Sequence, residues 1–258
     1  MDIQIATPYS TLFEDEAAKK TILSLSDAVE LRAPGQAETV SGPFLFHCEM
    51  SLVSAWSEEE RAGLSAMAEN TTFEAVSFHV LSRYARNQIQ DGAFHGKGKP
   101  HTEAEMLENA ARNAHFARSV FQDALLLVEN NNDLGTDAYE KVTDPEFLLK
   151  IMEANGLYLL LDIAHAKISS QNRHISLDDY LEGLDLEKTI QVHLSRHGEK
   201  DGRAFDAHEA LRDEDWEFFE DRLSQMPALK YATVEYYKDA AVLADQLGKL
   251  RSILDRSA

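Results

Sequence analysis

Leu159-Leu160-Leu161-Asp162 is a short apolar run that stops on a carboxylate, and five other stretches of the chain follow the same plan. A buried parallel strand reads as a continuous apolar run of about this length. The other five stretches are Phe44-Leu45-Phe46-His47, Val76-Ser77-Phe78-His79, Leu126-Leu127-Val128-Glu129, Ile190-Gln191-Val192-His193 and Ala232-Thr233-Val234-Glu235. Active sites of parallel-stranded barrels gather at the C-terminal ends of the strands. We therefore expect three imidazoles and three carboxylates to converge on one point.

Two further strands are predicted over residues 3–6 and 28–33, which brings the number to eight. Helices are predicted between the strands over residues 57–69, 102–121, from Asp144-Pro145 onward, and over 176–183, 213–226 and 239–254. Eight alternating units in a chain of this length predict an α/β fold, a single (β/α)₈ TIM barrel domain spanning residues 1–258. An open doubly wound sheet is the alternative, but it would show a Gly-rich turn after an early strand. The short connection between Pro34 and Pro43 predicts an irregular barrel wall there.

The bulk composition excludes several function classes. The chain has 258 residues and a net charge of −20, which disfavours a nucleic-acid partner because such a surface repels phosphate. Cys48 is the only cysteine, as expected for a protein of a reducing compartment. The first residues lack the pattern of a signal peptide, and no apolar stretch is long enough for a membrane helix. We therefore expect a cytoplasmic protein with no membrane partner.

Two local motifs extend the set of candidate metal ligands. Asp162 is followed by His165 three residues later, in what reads as a loop, and Asp206 is followed by His208 at a spacing of two, which points both side chains to one side of an extended segment. One acidic strand end means little in so acidic a chain, but Asp and His are poor core fillers and the pattern recurs. The predicted metal ligands are His47, His79, Glu129, Asp162, His165, His193, Asp206, His208 and Glu235.

Nine nitrogen and oxygen ligands exceed the need of one ion and suit two or three, with Glu129 or Glu235 able to bridge. Because thiolate is missing from the set, iron–sulfur clusters and structural zinc are disfavoured. Mixed imidazole and carboxylate suits Fe, Mn, Zn or Co.

Three flanking segments are weaker candidates. Residues 92–99 read as a flexible basic loop, either a mobile lid over the site or a plain surface loop. Asn130 and Asn132 follow Glu129, and Arg196 and His197 follow His193. These four are predicted substrate contacts, with turn caps or a solvated loop as the alternatives.

The motifs taken together resemble those of the multinuclear non-heme iron-dependent oxidative enzymes, the family of the methanobactin-forming oxidase. The likeness runs from about His47 to Leu254. Five parts of the sequence carry the likeness. They are Pro-x-Thr-Glu from Pro100 together with Leu-Leu-x-Glu-Asn at residues 126–130, the stretch of residues 159–172, Gln191-Val192-His193-Leu194, Asp206-Ala207-His208 together with Trp216, and Val234-Glu235. The chain departs from the family at two positions, with His165 where relatives usually have Asn and Asn131 where many have Pro.

The resemblance implies a xylose-isomerase-like barrel in which the matching residues hold two or three irons. Mn or Zn are the alternative ions. Glu129, Asp162 and Glu235 are then the catalytic carboxylates. The implied activity is O₂-dependent oxidation of a small or peptide substrate in natural-product biosynthesis, often at a cysteine. The resemblance also implies a separate partner protein that delivers the peptide.

The alternative function is a divalent-metal-dependent sugar isomerase or epimerase on the same barrel, in which Glu129 or Glu235 moves the proton. It leaves His47, His79 and the Asp206/His208 pair without a role. A metal-dependent nuclease is disfavoured by the charge, and a non-catalytic metal-binding protein makes little use of nine ligands.

Overall fold

The computed structural model describes residues 3–257, which form a closed barrel of parallel strands surrounded by helices. The strands are β1 (Gln4–Pro8), β2 (Ala28–Leu31), β3 (Phe44–Ser51), β4 (Ala75–His79), β5 (Asn87–Gln90), β6 (Ala93–Gly96), β7 (Leu125–Glu129), β8 (Tyr158–Asp162), β9 (Thr189–Leu194), β10 (Arg196–Lys200), β11 (Arg203–Glu209) and β12 (Tyr231–Val234). The helices are α1 (Glu16–Leu25), α2 (Glu58–Asn70), α3 (Glu103–Val120), α4 (Pro145–Asn155), α5 (Ile163–Arg173), α6 (Leu177–Glu182), α7 (Asp213–Arg222) and α8 (Ala240–Ser257).

The barrel closes between its first and last strands. Its order is β1-β12-β9-β8-β7-β4-β3-β2, all pairs are parallel, and Ile5 lies opposite Ala232 at the seam. The predicted (β/α)₈ barrel is therefore confirmed, and the alternative of an open doubly wound sheet is wrong. None of the helices within residues 3–257 is long and apolar enough to cross a bilayer.

A layer of apolar side chains fills the barrel beneath the candidate ligands. Every barrel strand contributes one residue to it: Ala6, Ala28, Leu45, Ala75, Leu127, Leu160, Ile190 and Tyr231. Side chains two positions apart on a strand share a face. His47, Glu129 and Asp162 lie two positions after members of this layer, so the barrel interior changes from apolar to polar within one layer. The apolar layer closes the bottom of the barrel and leaves the C-terminal mouth open.

The local predictions were partly right. The capping boxes Ser57/Glu60 and Thr102/Glu105 begin α2 and α3. Between β2 and β3, all of whose residues the structure describes, there is a 3₁₀ turn and no α-helix, so the predicted irregular wall is confirmed. Helices α1 and α5 were not predicted. Strand β3 continues past His47 to Ser51 through an irregularity in its pairing, so His47 is not at a strand end.

Two β-hairpins extend from the mouth of the barrel. Hairpin A pairs β5 with β6, and hairpin B pairs β10 with β11. Each turns through an Asp-Gly pair, Asp91-Gly92 or Asp201-Gly202, in which both residues have positive φ. Two-residue hairpin turns require this conformation, and Asp-Gly is a strong sequence signal for them. The prediction of a flexible loop over residues 92–99 is therefore wrong, since residues 93–96 form a strand.

Both hairpins are fastened to the barrel. In hairpin A the Phe94 amide donates to the Tyr139 hydroxyl (3.0 Å), and the Tyr84 ring packs so closely on Gly96 that a Cβ there would lie 2.2 Å from it. In hairpin B the Asn172 side chain of α5 pairs with both backbone groups of Ala204, at 3.0 and 3.1 Å. The hairpins therefore have defined positions around the mouth.

Candidate metal centre

Glu129 lies at the centre of the polar layer, surrounded by imidazoles. Its carboxylate oxygens lie 2.6 Å from His79 Nδ1, 3.4 Å from His193 Nδ1, 3.6 Å from His165 Nδ1 and 3.7 Å from His47 Nε2. The glutamate and all four histidines are buried. A single carboxylate on β7 thus lies near side chains from three other barrel strands and from α5.

Three of the histidines have one ring nitrogen occupied by a partner on the outer side of the cluster. These partners are Glu30 Oε2 for His193 Nε2 (2.8 Å), the Asn130 carbonyl for His165 Nδ1 (2.9 Å) and Ser77 Oγ for His47 Nδ1 (2.8 Å). A carboxylate and a carbonyl only accept, so His193 Nε2 and His165 Nδ1 carry protons. With a metal bound in place of the second proton, the other nitrogen of each ring would present a lone pair to the centre, an arrangement typical of metal-binding histidines.

Asp162 and His165 are positioned by the start of α5. Asp162 is the N-cap residue of this helix, and its Oδ1 accepts the His165 amide at 2.7 Å. The Asn130 side chain bonds both backbone groups of Asp162, at 2.8 and 2.9 Å. Oδ2 of Asp162 is left free and lies 3.8 Å from His165 Nε2. His165 was predicted in a loop, but it lies in the first turn of α5, where the cap fixes its direction.

Asp206 and His208 come from hairpin B rather than from a barrel strand. Asp206 Oδ2 lies 3.5 Å from His165 Nε2 and 3.4 Å from His208 Nε2, so the two side chains share a face as predicted. His208 Nε2 also lies 3.5 Å from Glu235 Oε2. The φ angle of His208 is +43°, an uncommon conformation for this residue type that the hairpin imposes.

Three residues of the cluster were not predicted: Glu30, Arg32 and Glu49. Glu30 is fully buried, and Arg32 forms ion pairs with Glu30 Oε1 (2.7 Å) and with Glu235. Glu49 is largely exposed, with Oε2 3.7 Å from His79 Nε2. One signal was available for Glu30, because a carboxylate within a buried apolar strand needs a partner.

The electrostatics of the cluster favour the binding of a cation. Burial raises the pKa of the Asp162 carboxyl to about 7, and the Glu235 and Glu129 carboxylates add to the effect against the opposing charge of His165. Burial alone would lower the pKa of His193, but the Glu235 and Glu30 carboxylates outweigh it and raise that pKa well above its usual range. The ionised form of the buried carboxylates is therefore stable only where positive charge lies nearby.

Unpaired atoms show where a cation fits. Among the described residues, buried atoms without a well-aligned hydrogen bond include His79 Nε2, Glu129 Oε2, Asp162 Oδ2, His193 Nδ1 and Asp206 Oδ1, although Glu129 Oε2 and His193 Nδ1 lie at ion-pair distance from other members of the cluster. These five belong to the predicted ligands, whereas other such atoms, among them Thr7 Oγ1 and Trp216 Nε1, lie elsewhere in the protein. Buried polar groups normally have partners. Triads with donor atoms within 4.8 Å of one another are His47/Glu49/His79, Glu129/Asp162/His165, Asp162/His193/Glu235 and Glu30/His47/His193. Because the triads overlap, the donors suit more than one ion.

The nine predicted ligands all lie in this cluster, whereas the four predicted substrate contacts are dispersed. Asn132 lines a cavity between the hairpins. Asn130 is buried and bonded to the Asp162 backbone, and Arg196 Nε lies 3.7 Å from Asp215. Burial, with Lys167 and Arg196 nearby, lowers the pKa of His197.

Glu30→Gln is expected to weaken metal binding without unfolding the barrel. The substitution keeps the size of the side chain but removes the charge that holds the proton on His193 Nε2. Loss of such an outer partner typically costs about 10–100-fold in metal affinity. Competition of the protein with a chromophoric chelator for Zn²⁺ measures this, with Glu140→Gln on the exposed surface as control. Equal affinity in the two variants would remove Glu30 from this role.

Known proteins resemble this chain in sequence and in fold. The sequence model of a family described as RiPP precursor modification enzyme MbnB/TglH/ChrH matches residues 40–254. A UPF0276 protein of Caulobacter vibrioides is 29% identical over 152 residues, covering 58% of this chain and 53% of that protein. A UPF0276 protein of Chromobacterium violaceum is 26% identical over 203 residues, covering 75% and 69%. The chain thus spans about half the length of the first relative.

Solved structures support the fold. A putative xylose isomerase from Rhodospirillum rubrum has a TM-score of 0.59 at 12% identity, with 98% of this chain and 99% of that chain covered. A xylose isomerase-like TIM barrel protein from Mycobacterium smegmatis, in complex with magnesium, has a TM-score of 0.58 at 12% identity, covering 98% and 96%. The apo 3-keto-D-glucoside 4-epimerase YcjR of E. coli has a TM-score of 0.58 at 13% identity, covering 97% and 99%. The fold is therefore that of a xylose-isomerase-like barrel.

Proposed function

Since the chain belongs to the RiPP precursor modification enzyme MbnB/TglH/ChrH family, we propose that it is a non-heme iron-dependent enzyme that uses O₂ to oxidise a peptide substrate. The observation that carries this proposal is the cluster of nine imidazole and carboxylate side chains at the mouth of the barrel, five of whose buried atoms lack a well-aligned hydrogen bond. RiPPs are ribosomally made peptides that enzymes modify afterwards, so the substrate is a peptide, and we propose a cysteine as the reacting residue.

Two or three ions fit the donor set. His47, Glu49 and His79 would hold one ion; Glu129, Asp162 and His165 would hold another; and Asp162, His193 and Glu235 would hold a third, with Asp206 and His208 beside the last two. Oxygen and imidazole donors suit iron, with Mn or Zn as alternatives. Cys48 is not a ligand, because it is buried in the hydrophobic core and burial raises the pKa of its thiol to about 12.

The protein's own side chains would prepare the site for oxidative chemistry. When bound, iron would supply the redox chemistry that oxidation by O₂ requires. Glu129 holds four imidazoles at fixed separations, and Arg32 fixes the Glu235 carboxylate from the outer side. The apolar layer that includes Leu45, Leu127 and Leu160 keeps water from entering below. The reacting group therefore enters from the mouth, between the hairpins.

A separate partner protein that delivers the peptide is part of the proposal. The surface of the chain, with net charge −20, favours neither nucleic acid nor an anionic membrane as the partner. A peptide that reaches the mouth in an extended form would pass between hairpins A and B.

Anaerobic loading with Fe²⁺ tests the proposed function. We expect about two to three irons per chain, and O₂ consumption when a synthetic cysteine-containing peptide is added. The Zn²⁺-loaded protein is the control and should consume no O₂. A protein that saturates with one Mn²⁺, is inert to O₂ and interconverts sugars would instead be an isomerase or epimerase.

A further inference from the structure

A cavity of about 910 Å³ lies between hairpins A and B, and it adjoins the cluster of predicted metal ligands. Asp206 belongs to both, because it lines the cavity and lies 3.5 Å from His165 Nε2. Asn132, which follows the Glu129 strand, also lines the cavity. A molecule that fills this space therefore lies next to the proposed ligands.

The cavity wall exposes apolar side chains that a folded protein normally buries. Ile89 of hairpin A is 69% exposed and Phe205 of hairpin B is 39% exposed, and both line the cavity. They are two of the four large apolar side chains that are exposed within residues 3–257. Phe94, stacked on the Tyr139 ring at 6.0 Å, continues the apolar surface. Apolar residues from two separate hairpins facing one space indicate an apolar occupant.

Two cations, Lys200 and Arg203, line the same wall, and neither forms an ion pair within the described part of the chain. Arg203 lines the cavity, and a Cβ built on Gly135 would lie 2.9 Å from its Nη2, so the guanidinium reaches from hairpin B to the loop before Tyr139. Arg203 forms no ion pair with any residue in the described part of the chain. The unpaired carboxylates of the wall, Asp91 and Asp201, lie at the tips of the two hairpin turns. In so acidic a chain, a free guanidinium beside an apolar surface favours a carboxylate.

We propose that this cavity selects peptide substrates in which an apolar side chain and a carboxylate flank the reacting residue. The apolar side chain would pack between Ile89 and Phe205, and the carboxylate would bind Arg203. The proposal rests on the proposed function, since it takes the occupant to be the peptide whose reacting residue reaches the metals.

Binding of four synthetic peptides tests this selectivity. They are fluorescein-labelled Gly-Leu-Cys-Glu, Gly-Ser-Cys-Glu, Gly-Leu-Cys-Lys and Gly-Ser-Cys-Lys, with amidated C-termini. Fluorescence anisotropy is measured on the Zn²⁺-loaded protein, so that binding is independent of oxidation. We expect the peptides with Leu to bind about ten-fold more tightly than those with Ser, because the apolar side chain is buried. We expect the peptides with Glu to bind about three-fold more tightly than those with Lys, and we expect this difference in affinity to decrease as the salt concentration rises.

Two variants test which residue of the cavity wall causes each binding preference. Ile89→Ser should abolish the preference for Leu and keep that for Glu, and Arg203→Gln should do the reverse. The matched controls are Ile175→Ser, at an exposed apolar residue outside the cavity, and Lys20→Gln, at an exposed cation outside it. Both controls should keep both preferences.

Equal binding of the four peptides, or binding of none, would overturn the proposal, as would a preference that both wall variants retain. These outcomes are separate from failure of the proposed function. If the protein oxidises peptides regardless of the residues at these positions, the proposed function stands and the proposed selectivity is wrong. If the protein shows both binding preferences but consumes no O₂, the proposed selectivity of the cavity stands and the proposed oxidase function is wrong.

Discussion

Glu129→Gln is expected to lower the metal content by at least one ion per chain and to abolish oxidation. Glu129 is the carboxylate that lies within 3.7 Å of all four surrounding imidazoles, so its charge serves more than one proposed ion. Loss of a direct ligand should cost more than the roughly 10–100-fold in affinity that an outer partner contributes. Elemental analysis of protein loaded anaerobically with Fe²⁺ measures the effect.

A matched control is available in Asp215→Asn. Asp215 is also a buried carboxylate, but it bonds Lys167 at 2.6 Å on α5, away from the cluster. Its loss should leave the metal content unchanged. A fall of equal size in both variants, or in neither, would contradict the central role of Glu129. Circular dichroism of each variant shows whether the barrel is intact.

Removal of metal is expected to lower the melting temperature by roughly 5–10 °C. Asp162 is buried beside the Glu129 and Glu235 carboxylates, which with burial raise the pKa of Asp162, so a bound cation would relieve an unfavourable buried charge. An ion at about 100 times its Kd stabilises the native state by about 2.7 kcal/mol. Each kcal/mol corresponds to about 2–4 °C for a protein of this size. Differential scanning calorimetry with Fe²⁺ and with EDTA measures the shift.

The Glu129→Gln variant provides the comparison for this experiment. Because it binds fewer ions, its melting temperature should change less between the metal-loaded and EDTA-treated forms. A wild-type protein whose melting temperature is the same in both forms would show that the cluster does not bind metal strongly in the native state.

The barrel strands were predictable because their signal is local. Continuous apolar runs such as Leu159 to Leu161 mark a buried strand wherever it lies in the barrel. Helix α5 was missed because its buried face is partly polar. Ser169 donates to the Asn131 carbonyl (3.0 Å) and Asn172 bonds Ala204, so apolar spacing does not reveal the helix. Those contacts join residues more than thirty positions apart, which no local pattern encodes.

The candidate site was predicted by residue type but not by arrangement. The Asp162/His165 spacing is an N-cap relation, and the Asp206/His208 spacing is that of a strand. Neither spacing could show that hairpin B folds back over the mouth of the barrel. Glu30 was within a predicted strand, yet only the closed barrel shows that its side chain faces His193.

The sequence by itself determined the eight strands, the parallel barrel and the kinds of donor atom at its mouth, because each depends on the order of apolar and polar residues over a few positions. The tertiary structure decided which ring nitrogens face the centre, which buried atoms are unpaired, and that hairpins A and B enclose a cavity beside them. These features arise from pairing across the whole chain, from β1 against β12 to α5 against hairpin B. Side-chain direction is set by those distant contacts rather than by neighbours in sequence.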